Sequence, residues 1–178
     1  MSLYGSKELI DSVRTVRKNT ILIAEDIPEK DYSYRPTPDS RSVAETLVHI
    51  AISARADRVL HEDRHVSTLE GFNFGELIEK SMAEEKRPRS KSQIIELLRT
   101  ESERWCQWVN GLPETLLSEQ VRMPGGTSKS RFEMLVGTKE HEMHHRAQLV
   151  VIERLLGIVP HLTRNRQVAR KASTSVPA

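Results

Sequence analysis

The chain has a single cysteine, Cys106, among 178 residues. That excludes an internal disulfide and any thiolate cluster, so a metal ion would have to be held by His, Asp or Glu. Long apolar runs are missing too. Nothing approaches the roughly 18 residues needed to span a bilayer, and the N-terminus lacks the basic start and apolar stretch of a secretion signal. A cytoplasmic protein without membrane contact is expected. Glycine is sparse, and no glycine-rich phosphate loop is present, which argues against a nucleotide-hydrolysing domain. Strand-like alternation is scarce, and no internal repeat is evident.

What is present suits one well-filled domain of this length, with 37% hydrophobic residues. Charge is unevenly placed. Of the 27 basic side chains, Arg164, Arg166, Arg170 and Lys171 follow Pro160, so residues 1–160 hold 23 basic against 25 acidic groups. Residues 161–178 read as a basic, flexible tail, polar and ending in "STSVPA". No aromatic or folded reader accompanies those charges, so nucleic-acid binding is not expected.

Apolar residues recur in steps of three and four over four segments, the pattern of amphipathic helices. The first stripe is Leu9, Val13, Val16, Thr20, Ile23 and Ile27, stopped by Pro28. Ser42 with Glu45, Ser90 with Gln93 and Ser130 with Glu133 each form a capping-box pattern and mark three further helix starts. The second helix is expected to reach about residue 65. The third carries Ile94, Leu98, Glu101, Trp105 and Trp108, and the last ends at Leu156 with Gly157 as a left-handed stop. A short helix is expected near 75–83, with "EEKRPRSKS" a charged linker and "VRMPGGTSKS" a turn-rich crossing. Four such helices predict an all-α fold, an antiparallel four-helix bundle over residues 1–160 with its helix order open.

The stretch "HEMHHRAQ" at 141–148 carries the chemistry. His141 and His145 lie one turn apart on a seam read as Met134, Thr138, His141, His145, Gln148, Ile152 and Leu155, so both imidazoles can reach one ion from the same face. Burying two unpaired imidazoles there would cost stability. His144 lies about 100° around the helix and is the poorer partner. A third ligand must come from another helix. His49 leads, although the residues alone equally allow an ordinary interior histidine. His61, His65 and His161 lack partners at metal spacing and read as surface or hydrogen-bonded residues. Gln148 could orient a ligand, and Glu101 could hydrogen-bond an imidazole or reach solvent. Trp105 and Trp108 read as core or dimer-contact aromatics.

"HEMHH" also satisfies the H-E-x-x-H pattern of zinc proteases, with Glu142 in the place of the general base. The extended form fails at Gln148 and Val151, and no segment offers a strand for an extended peptide. A protease is not expected.

With His49 and "HEMHHRAQLVVIERLLGIVP" in view, the chain resembles the DinB/YfiT-like family of small metalloenzymes. The likeness runs from "SYRPTPDSRSVAETLVHIA" to the H-x-x-x-H-R-x-Q-L of the last helix. Ala147 stands where a glycine is common. The resemblance implies a four-helix bundle holding one divalent metal, zinc or nickel, on His49, His141 and His145, and often a homodimer. It also implies a small-molecule substrate. Some relatives transfer a low-molecular-weight thiol, such as bacillithiol or mycothiol, to an electrophile. A thiol transferase is therefore the favoured activity and a hydrolase the next. The alternative is a non-catalytic metal-binding stress-response protein. Three imidazoles do not select among zinc, nickel, cobalt and copper.

Overall fold

The computed structural model describes residues 4–174. In chain order it contains α1 (Ser6–Asp26), a 3-10 turn (Glu29–Asp31), α2 (Val43–Ser53), α3 (Arg55–Arg58) and a π turn (Val59–Asp63). There follow α4 (Gly75–Glu85), α5 (Lys91–Asn110), α6 (Glu114–Ser118), β1 (Gln120–Arg122), β2 (Ser128–Ser130), α7 (Arg131–Leu155) and α8 (His161–Thr174). The fold is all-α, a four-helix bundle of α1, α2, α5 and α7, with one small antiparallel hairpin of β1 and β2. No helix among the described residues is long and apolar enough to cross a membrane.

Local chemistry sets the helix starts. The hydroxyls of Ser42, Ser90 and Ser130 accept from the backbone N–H groups of Glu45, Gln93 and Glu133, whose side chains take the serine N–H groups in return. Each such cap contributes about 1 kcal/mol. Pro28 follows α1, and Gly157 takes a left-handed φ of 77° after α7.

Packing then sets the order around the bundle. α1 packs on α5 and α7, and α2 packs on the same two helices. The ring therefore runs α1, α5, α2, α7, with the sequence-consecutive α1 and α2 diagonally opposed. Arg14 pairs with Glu103 and Arg99 with Glu25, so α1 and α5 are antiparallel. His49 meets His145 while Asp57 meets Thr138, so the α2–α3 arm and α7 are antiparallel as well. The core fills the ring in two clusters, one around Ile23, Leu47, Leu98 and Leu149, the other around Leu9, Trp105, Val109 and Leu135.

Several expectations are corrected. The second helix is not continuous to residue 65. It breaks at Ala54, resumes as α3, and ends in the π turn that places His61 in the interior. The crossing at 121–130 is the hairpin, with its reversal at Gly125 and Gly126, both at φ 89°. The "linker" begins inside α4, where Glu84 and Glu85 form its last turn and Glu85 is buried. The buried line of α7 is Leu135, Glu142, His145, Leu149 and Ile152, which is rotated from the expected seam; Leu155 faces solvent. Where a flexible tail is expected from residue 161, the structure has α8, whose first turn is docked. Its His161 is buried with Nε2 3.0 Å from Asn19 Oδ1, and Arg164 pairs with Asp26 at 2.6 Å. Residues 175–178 of that expectation lie outside the described residues.

Candidate metal centre

α2 and α7 bring His49, His141 and His145 together, with His145 buried and the other two half-buried. The Nε2 atoms converge. His141 Nε2 lies 3.1 Å from that of His49 and 3.2 Å from that of His145. The edge of a tetrahedral zinc site with Zn–N near 2.0–2.1 Å is about 3.3 Å, so these separations suit three ligands of one ion.

The opposite ring edges of two of the imidazoles are anchored. His49 Nδ1 is 2.7 Å from Glu85 Oε1, and His145 Nδ1 is 2.9 Å from Gln148 Oε1. Both oxygens are acceptors, so each Nδ1 carries the proton and each Nε2 lone pair points at the shared centre. Lone pairs this close repel without a cation between them. Burial, reinforced by the neighbouring imidazoles, pushes His141 down to about 4, and burial lowers His145 in the same direction. His141 and His145 are therefore neutral at physiological pH, as metal ligation requires.

Glu85 also binds Arg41, at 2.7 Å to Nε, so a guanidinium, a carboxylate and an imidazole form a chain leading to the centre. Although burial opposes ionisation, the hydrogen bonds from His49 and Arg41 prevail and hold the Glu85 carboxyl below its ordinary range. Its position inside a run of mixed charge, 36 residues from His49, gives the sequence no signal for this contact.

Other expected site residues fall elsewhere. Gln148 lies beside the cluster, with its Oε1 on His145 Nδ1. Glu101 does not: it is bound by Arg55 at 2.8 and 3.0 Å and by Arg104 at 3.2 Å, and makes no hydrogen bond to the three histidines. Glu142 points away from the cluster into the bundle. Arg17 Nε donates to both its oxygens at 2.9 and 3.1 Å, and the Thr20 hydroxyl donates to Oε1 at 2.7 Å. A carboxylate so engaged is not free to act as a protease base. His61 and His161 are interior, and each is hydrogen-bonded through one ring nitrogen, to Arg131 and Asn19.

Two cavities flank the cluster. The larger, about 970 Å³, is bordered by His145, Gln148 and Glu85 and opens between α7, α4 and the Arg35–Arg41 loop. The smaller, about 360 Å³, is bordered by His141, Thr138 and Asp57. Burial pushes the Asp57 carboxyl up to about 6, opposed by hydrogen bonds to Oδ2 from the Thr138 hydroxyl at 2.5 Å and the Trp105 indole at 2.8 Å.

The four-helix bundle that carries the three histidines is a fold that known proteins share. The chain belongs to the DinB superfamily, whose pattern matches residues 12–149. Among solved structures it is similar to YfiT from Bacillus subtilis, described as a probable metal-dependent hydrolase with an unusual four-helix bundle topology. That match has a TM-score of 0.67 and 15% identity, covering 89% of this chain and 91% of that one. A DinB-like protein of Bacillus subtilis, YjoA, matches with a TM-score of 0.61 and 23% identity over 84% of this chain and 92% of that one. A mycothiol-dependent maleylpyruvate isomerase matches with a TM-score of 0.60 and 12% identity, over 82% of this chain and 61% of that longer one. No curated protein matches in sequence.

Proposed function

We propose that the protein is a metal-dependent enzyme holding one divalent ion, zinc or nickel, on His49, His141 and His145, and acting on a small molecule in the cytoplasm. The observation that carries this reading is the convergence of three Nε2 atoms while Glu85 and Gln148 hold Nδ1 protons on the far sides. A divalent ion supplies acidity there, making a coordinated thiol or water a nucleophile at neutral pH.

The chain's own residues do the rest. Glu85 and Gln148 fix the rings of His49 and His145, and Arg41 keeps Glu85 ionised. Asp57, poised near 6 beside the smaller cavity, can take or release a proton at its carboxylate. Transfer of a low-molecular-weight thiol to an electrophile is the favoured reaction. It is supported by likeness to a mycothiol-dependent isomerase, and hydrolysis by likeness to YfiT. A homodimer is part of the proposal.

The test is elemental analysis of untagged protein never exposed to a nickel column, with His49→Ala, His141→Ala and His145→Ala beside it. About one equivalent of metal, lost in all three variants, is expected. Thiol consumption with a generic electrophile then separates enzyme from storage or stress protein. Wild-type protein that takes up neither zinc nor nickel would sink the metalloenzyme reading.

A further inference from the structure

The larger cavity changes character along its length. One wall is a single face of α7, on which His145, Gln148, Val151, Ile152 and Leu155 follow one another at helical spacing. From His145 to Leu155 the helix rises about 15 Å. The end at the histidines is imidazole and amide. The far end is apolar and open, with Val151 57% and Leu155 60% exposed, and Met82 of α4, 45% exposed, lines the same groove. Large apolar side chains gathered in a concave wall mark a surface that is covered in use.

Charge is placed at the other end. Lys86 directly follows Glu85, which holds His49, and lines the groove with an ammonium that has no partner among the described residues. Arg41 and Arg35 line it too, but are occupied by Glu85 and Glu45. Asp39, the remaining acid of the lining, is hydrogen-bonded by Thr37 on the loop side.

We propose that this groove binds an amphipathic carboxylate, its anionic end held by Lys86 near the three histidines and its apolar tail laid along Val151, Leu155 and Met82. The inference deepens the metalloenzyme reading by naming a substrate class, and rests on that reading only for what happens to the head group. Binding of the tail requires no ion.

The test is calorimetric titration of metal-free and of zinc-loaded protein with butyrate, octanoate, dodecanoate and neutral octanamide. In the metal-free protein, affinity should rise about two- to fourfold per methylene. Octanoate should bind about two- to fivefold tighter than octanamide. Lys86→Gln should abolish the preference for the carboxylate, and Leu155→Glu should flatten the chain-length series. Both positions are exposed, so the circular dichroism of the variants should match wild type. An affinity that ignores chain length, or a series untouched by Leu155→Glu, overturns the proposal. So does binding that needs zinc and ignores Lys86→Gln, for then the metal alone holds the carboxylate. If Leu155→Glu changes the sedimentation coefficient but not carboxylate affinity, the apolar wall joins two copies of the chain and the proposal falls. A chain-length series intact in protein that takes up no zinc upholds the groove and removes the metal reading.

Discussion

An imidazole is a good ligand only when its ring is held and its proton is on the far nitrogen. At His49 that work falls to Glu85 and at His145 to Gln148, so these two residues should govern affinity without touching the ion. Glu85→Ala and Gln148→Ala should each weaken zinc binding about 10- to 100-fold in competition with a chelating dye. Glu101→Ala should leave it unchanged, because that carboxylate is spent on Arg55 and Arg104. Equal affinities across all three variants would mean that the histidines are oriented by packing alone.

At the scale of elements, α8 docks against the end of α1 and the last turns of α7, and beneath this joint lies Glu153. It is 0% exposed, neither carboxylate oxygen has a hydrogen-bond partner, and burial, with the nearby charge of Asp26, pushes it up to about 7. Arg164 and Arg154 pull the other way without reversing it. The folded state therefore keeps a proton that the unfolded chain releases near 4.5, and stability must fall as pH rises through that window. Between pH of about 5 and about 8, wild type should lose on the order of 2 kcal/mol relative to Glu153→Gln, which cannot ionise. Urea unfolding at the two pH values reads the difference, and parallel pH profiles would show that Glu153 finds a partner in solution.

For the molecule as a whole, one guanidinium ties four helices. Arg17 of α1 donates to Glu142 of α7, to the Leu98 carbonyl of α5 at 2.7 Å and to the Ile50 carbonyl of α2 at 3.2 Å. Both ends of the ion pair are buried. Glu142→Ala strands that charge and should cost about 3–5 kcal/mol in denaturant unfolding, while Arg17→Met combined with Glu142→Leu should recover most of the loss. A Glu142→Ala variant as stable as wild type would show that the pair contributes nothing net. The same contacts explain why a metalloprotease pattern is misleading here: the motif's glutamate is a structural tie.

What was legible in the sequence was local. Apolar periodicity and three serine capping boxes located the principal helices, because caps and stripes depend on residues within one or two turns. The one-turn spacing of His141 and His145 marked the candidate metal centre for the same reason, and family resemblance added His49. The partners of those histidines were not legible. Glu85 reaches His49 across 36 residues, and Glu142 reaches Arg17 across 125. Arg17 and Glu142 fall outside the apolar stripes read from the sequence, so nothing local says that they are buried or which charge meets which. Only the tertiary structure decided the ring order of helices, the rotation of α7 that turns Glu142 inward and Leu155 outward, and the groove beside the histidines. These follow from packing four helices at once, whose faces compete for one interior, and no short window of sequence contains that competition.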